Sequence, residues 1–123
     1  MEITATAVSI NVADVAASAN FAREHFGYSE AMAADGFASL THPQAPALIF
    51  LDENSPVLPE ALRTRAAGVI VAFTVGDIDA EYARLAGVGD LVVPLKTEEW
   101  GERLFVIADP NGVHYEFVSW VSG

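Results

Sequence analysis

The sequence predicts an α+β chain in which the order strand, helix, three strands occurs twice. Two observations carry this reading. The segments Ile10-Asn11-Val12-Ala13-Asp14-Val15 and Phe73-Thr74-Val75-Gly76-Asp77-Ile78 read alike, each closing an alternating apolar run and opening a helical one. Three short strand-like runs, separated by turn residues, then follow each predicted helix. With 123 residues there is room for one domain of two small modules, at about 1–55 and about 69–121.

In the first module, Val8, Ile10 and Val12 alternate with Ala7, Ser9 and Asn11, the period of a half-buried strand. Asp14 sits where a helix N-cap belongs, its carboxylate able to accept from orphan backbone N–H groups. The helix runs from about Val15 to Phe26 and stops at Gly27, a left-handed C-cap residue. Strands follow at roughly Ser29–Ala34, Phe37–Thr41 and Ala47–Leu51, broken by Asp35-Gly36 and His42-Pro43. A connector over Asp52–Gly68 carries Pro56 and Pro59 and has room for one helical turn.

The second module repeats the pattern. Val71, Phe73 and Val75 alternate with Ile70, Ala72 and Thr74, and Asp77 takes the N-cap position. A helix from about Ile78 to Ala86 stops at Gly87, and strands follow at roughly Leu91–Lys96, Arg103–Ala108 and Val113–Trp120. Asp109-Pro110-Asn111-Gly112 is a strong turn, proline presetting φ and glycine free to take φ > 0. Both helices have a modest apolar stripe and must lean on a sheet.

Composition narrows the function. Apolar residues make up 52% and charged residues 19%, enough buried material to exclude a disordered chain. No apolar run approaches the ~18 residues of a membrane span, the N-terminus lacks the basic region of a secretory signal, and cytoplasmic location is expected. The absence of cysteine excludes a disulfide framework, a thiolate metal site and a cysteine nucleophile. A net charge of −11 argues against nucleic acid and anionic membrane as partners. That charge reads as solubility or as attraction of a cationic ligand. No Gly-x-Ser-x-Gly elbow and no glycine-rich phosphate loop is present.

The stretch Trp100-Gly101-Glu102-Arg103-Leu104-Phe105-Val106-Ile107-Ala108-Asp109-Pro110-Asn111-Gly112-Val113-His114-Tyr115-Glu116-Phe117 resembles the closing hairpin of the glyoxalase/bleomycin-resistance/dioxygenase (vicinal oxygen chelate) superfamily. Val8–Gly27 resembles its first strand and helix. The resemblance implies paired βαβββ modules in an open, cupped mixed sheet, and a homodimer whose pockets are lined from both subunits. The family hosts lyases, dioxygenases, epimerases and plain drug binders, so fold alone does not choose among them.

Metal-dependent members take one ligand from the first strand, one from the fifth and a glutamate from the last. Those positions fall here on Ala7, Ile70 and Glu116, and only the last has a donor atom. No metal and no other cofactor is therefore expected. His114 and Glu116, joined by His42 or Asn11, are the material for a rebuilt site, but three scattered histidines specify nothing by spacing.

With Glu116 facing the cavity, strand alternation sets His114 and Val118 beside it and turns Tyr115 and Phe117 to the helix side. Ala7, Ser9 and Asn11, with Ile70, Ala72 and Thr74, then line the same face. In the bleomycin-resistance branch the residues matching Phe37 and Trp100 clamp a planar part of the drug, as flat π faces at a pocket mouth do. Phe37 reads equally as a core strand residue, and Trp100 equally as a dimer anchor. Phe50 and Phe105 read first as core, with Phe50 also counted among the ligand contacts.

The expected function is non-catalytic sequestration of a flat aromatic antibiotic of bleomycin, mitomycin or enediyne type. Phe37 and Trp100 would stack on it, and Glu116, His114, Asn11 and Ser9 would supply polar contacts. The alternatives are a lyase, isomerase or dioxygenase using Glu116, and a structural dimer with a vestigial pocket.

Overall fold

The computed structural model describes residues 1–120 and divides into two compact units, Met1–Ala67 and Gly68 onward. Residue 121, the last of the expected second module, lies outside the described residues.

The first unit contains β1 (Ala7–Val12), α1 (Val15–Phe26), β2 (Ser29–Ala34), β3 (Phe37–Thr41) and β4 (Ala47–Asp52). Its sheet has the order β1-β4-β3-β2, with β1 parallel to β4 and the remaining pairs antiparallel. The Asp14 carboxylate accepts from Ala17 N at 3.2 Å, and Gly27, at φ 77°, closes α1. One sheet face packs on α1: Ile10, Phe50 and Ala38 lie side by side in register and are all buried. Phe21 and Ala22 cover them from the helix. Each large apolar side chain buried this way contributes about 1.5–3 kcal/mol. The connector carries a single 3₁₀ turn, Glu60–Leu62.

The second unit contains β5 (Ile70–Thr74), α2 (Ile78–Leu85), β6 (Asp90–Thr97), β7 (Glu102–Ala108) and β8 (His114–Trp120). Its sheet order is β5-β8-β7-β6, again with the first and last strands parallel. Asp77 caps α2 through Ala80 N at 3.1 Å. The helix ends at Leu85 rather than at Ala86, and Gly87 is not its left-handed stop; Gly89, at φ 65°, takes that conformation on entry to β6. The core beneath α2 is aromatic, with Phe105 and Phe117 stacked at 4.9 Å and Tyr82 edge-on to Phe105 at 5.1 Å. Asp109 is buried and its Oδ1 accepts from Asn111 N (2.8 Å) and Val113 N (2.9 Å), which holds the turn into β8. Among the described residues no helix is long and apolar enough to cross a membrane.

Candidate functional site

Strand register decides which side chains share a face, because pairing partners point the same way. In the first unit, Ser9, Ile49 and Ser39 form one row turned away from α1, and Asn11, Leu51 and Phe37 form the next. Met32 extends the first row onto β2. Phe37, Ser9 and Asn11 thus share a face, with Phe37 half-buried. Phe50 does not join them. It is completely buried on the α1 side, because its position in β4 has the opposite parity to Ile49 and Leu51. Phe50 is therefore a core residue and leaves the set of ligand contacts.

Asn11 has a different engagement from the one expected. Its side-chain amide donates to the carbonyls of Leu62 (2.8 Å) and Thr64 (2.9 Å), and its backbone carbonyl accepts from Ala66 N. Both amide protons are spent on tethering the connector to β1, which leaves only the side-chain oxygen for anything else.

In the second unit, the face away from α2 has Ala72, Glu116 and Val106 in one row and Ile70, His114 and Ala108 in the next. Thr74, Val118 and Leu104 form a third, and Trp120 pairs with Glu102 beyond it. Leu104, Val106 and Val118 form a buried apolar cluster against which Val93 packs. Glu116 stands in this apolar row, and burial pushes its carboxyl above the ordinary glutamate value, assisted by the nearby charge of Glu102. His114 Nδ1 lies 2.8 Å from the carbonyl of Gly112. A carbonyl only accepts, so Nδ1 carries a proton, and in the neutral imidazole the lone pair is then on Nε2.

Trp100 sits at the tip of the β6–β7 turn, where Glu98 N donates to Glu102 O (2.7 Å) and Gly101, at φ 95°, reverses the chain. Its indole is 65% exposed. The arginine of the same motif faces the other way: Arg103 donates to Asp79 of α2 and to Thr97, both at 2.8 Å, and so ties the hairpin to the helix. Trp120 was not singled out from sequence, yet it is exposed on the Glu116 face. Its even spacing from Glu116 along β8 was the available signal.

The family's metal does not fit this chain. Ala7 and Ile70 present only hydrocarbon at two of the three ligand positions, leaving Glu116 alone. Among the described residues no group of three His, Cys, Asp or Glu is placed to hold a metal ion.

The model of the Glyoxalase/Bleomycin resistance protein/Dioxygenase superfamily matches residues 4–117. An uncharacterized protein of Mycobacterium bovis is 42% identical over 48 residues, a match spanning 38% of this chain and only 32% of that protein. A glyoxalase/bleomycin resistance protein/dioxygenase from Nocardioides superposes with a TM-score of 0.76 at 24% identity, covering 100% of this chain and 87% of its own. A lactoylglutathione lyase from Agrobacterium tumefaciens gives 0.72 at 17% identity, covering 96% and 94%. At such identities the structural likeness speaks for the fold.

Proposed function

The chain belongs to the glyoxalase/bleomycin resistance protein/dioxygenase superfamily, and from that premise we propose that it is a non-catalytic binding protein. Its ligand is a flat, partly hydrophobic aromatic antibiotic of the bleomycin, mitomycin or enediyne class, and its action is sequestration. One observation carries the reading. Glu116 is kept on an apolar sheet face, while the positions that would complete a metal site are Ala7 and Ile70. Such a lining of apolar side chains with a few polar points suits an organic molecule better than a cation. Phe37 and the exposed Trp100 supply flat surfaces for stacking. Exposed indoles at Trp100 and Trp120 also support a homodimer.

The test is a tryptophan-fluorescence titration of metal-stripped protein against aromatic antibiotics, repeated with Trp120→Phe to locate the signal. Saturable quenching at micromolar or lower concentration, with the drug recovered unchanged, supports sequestration. Silence across the panel that is broken only by adding a divalent metal overturns it.

The raised carboxyl of Glu116 favours a second reading, a metal-free lyase or isomerase with Glu116 as general base. Chemically altered ligand with the parent protein, and unaltered ligand with Glu116→Gln, would establish that reading instead.

A further inference from the structure

We infer that His114 and Glu116 on β8 form an acceptor pair that takes the amino or amidinium end of a flat aromatic ligand. The inference rests on the binding reading above and names the ligand class within it.

The first ground is the pair's hydrogen-bonding polarity. The Gly112 carbonyl fixes a His114 proton on Nδ1, so Nε2 of the neutral imidazole presents a lone pair. The ionised Glu116 carboxylate offers only acceptors. Two residues apart on one strand, the side chains share a face at a spacing of roughly 6.5–7 Å. Their in-register neighbours Ile70, Ala72, Val106 and Ala108 have no polar side-chain atom to answer them. Acceptors in an apolar row gain most from a partner that brings its own N–H groups, since burying them unpaired is costly.

The second ground is the accounting of positive charge. All six basic side chains are already engaged. Arg23 meets Asn20 and Glu30, Arg63 the carbonyls of Pro56 and Leu58, and Arg65 the Glu53 carboxylate. Arg84 pairs with Glu81, Arg103 with Asp79, and Lys96 with Glu98 at 2.6 Å. Among the described residues Lys96 is the one lysine or arginine on the Glu116 side of its sheet, by its register with Leu104. Glu116 and Glu102 stand on neighbouring strands of this face, two rows apart, and Lys96 in the intervening row is paired with Glu98. The Glu102 charge that raises the Glu116 carboxyl is therefore offset by a ligand cation. A carboxylate ligand would meet repulsion there, and a neutral ring without N–H groups would leave both acceptors unsatisfied.

The experiment uses three probes of one shape, acridine, 9-aminoacridine and acridine-9-carboxylate, titrated against the full chain by fluorescence. The expected order is 9-aminoacridine at least tenfold tighter than acridine, with the carboxylate weakest. Glu116→Gln and His114→Phe should each cut that preference severalfold. Glu24→Gln, which removes the same charge from an exposed position on α1, should leave it intact. Equal loss in the Glu24→Gln control overturns the pair and assigns the preference to overall charge. Three probes bound alike overturn the pair and leave the binding reading standing. Three probes that all fail to bind overturn both.

Discussion

Arg103 of β7 reaches Asp79 in the first turn of α2, its guanidinium donating to Oδ1 at 2.8 Å. The same guanidinium holds Thr97 on β6. Arg103 thus binds one helix and two strands together, on the α2 side of its sheet and away from the face that carries Glu116. Its hydrogen bond holds the Asp79 carboxyl below the ordinary aspartate value, outweighing desolvation, and its charge adds a smaller effect in the same direction.

A carboxyl depressed in the folded state contributes stability above its unfolded value and loses it as pH falls through the folded value. Asp79→Asn should therefore unfold at lower urea than the parent at pH 7. The two midpoints should converge below the ordinary aspartate pKa of about 3.9. A gap unchanged between pH 7 and acid would show that the ion pair is not its source.

Glu116 has the opposite sign. Its carboxyl is raised by burial and by Glu102, so the folded state holds the proton more tightly than the unfolded chain. The cost of the charge is present above the folded value and is relieved as pH falls through it. Glu116→Gln should melt above the parent at pH 7, and the advantage should shrink as the solution approaches the ordinary glutamate value of about 4.3. Melting curves at several pH values check both the sign and its trend.

Trp100→Ala should weaken binding of an aromatic antibiotic by about 1–3 kcal/mol, as loss of a stacking anchor does. An indole 65% exposed contributes little to folding, so the urea midpoint should stay where it is. Unchanged affinity would remove Trp100 from the site.

Phe50→Ala should cost about 3–5 kcal/mol of stability, because the ring is fully buried against Ile10 and Ala38. Phe37→Ala, on the opposite face, should cost well under half as much and act on ligand affinity instead. Paired urea titrations and binding isotherms separate the two aromatics.

Asn11→Ala removes two hydrogen bonds to the connector, each with a net contribution of about 0.5–1.5 kcal/mol. Proteolysis between residues 53 and 66 should accelerate, and amide exchange at Ala66, which donates to the Asn11 carbonyl, should speed with it.

The doubled fold was legible because its signals are local. Asp14 and Asp77 cap their helices three residues ahead, and period-two alternation set Glu116 beside His114 and Val118, with Tyr115 and Phe117 on the other side. What escaped is non-local. Asn11 meets carbonyls 51 and 53 residues away, for which no spacing rule exists. Glu102 acts on Glu116 from a neighbouring strand, so their coupling depends on a register that no short window contains. Phe50 is the exception, since its parity with Leu48 already set it on the buried side of β4. The stop of α2 was misplaced because Gly87 and Gly89 both offer the left-handed conformation, and only the second adopts it.

The parallel pairing of first strand with last sets a timetable during synthesis. Val8 lies opposite Leu48, and Val71 opposite Tyr115. Each opening strand must therefore wait for about forty residues before its partner exists, roughly 2–8 s at typical elongation rates. During that interval the apolar residues Val8, Ile10 and Val12 have only α1 to shelter against. The nascent chain is thus exposed to aggregation before β4 emerges and again before β8 emerges, and slower translation of either stretch would lengthen that vulnerable interval.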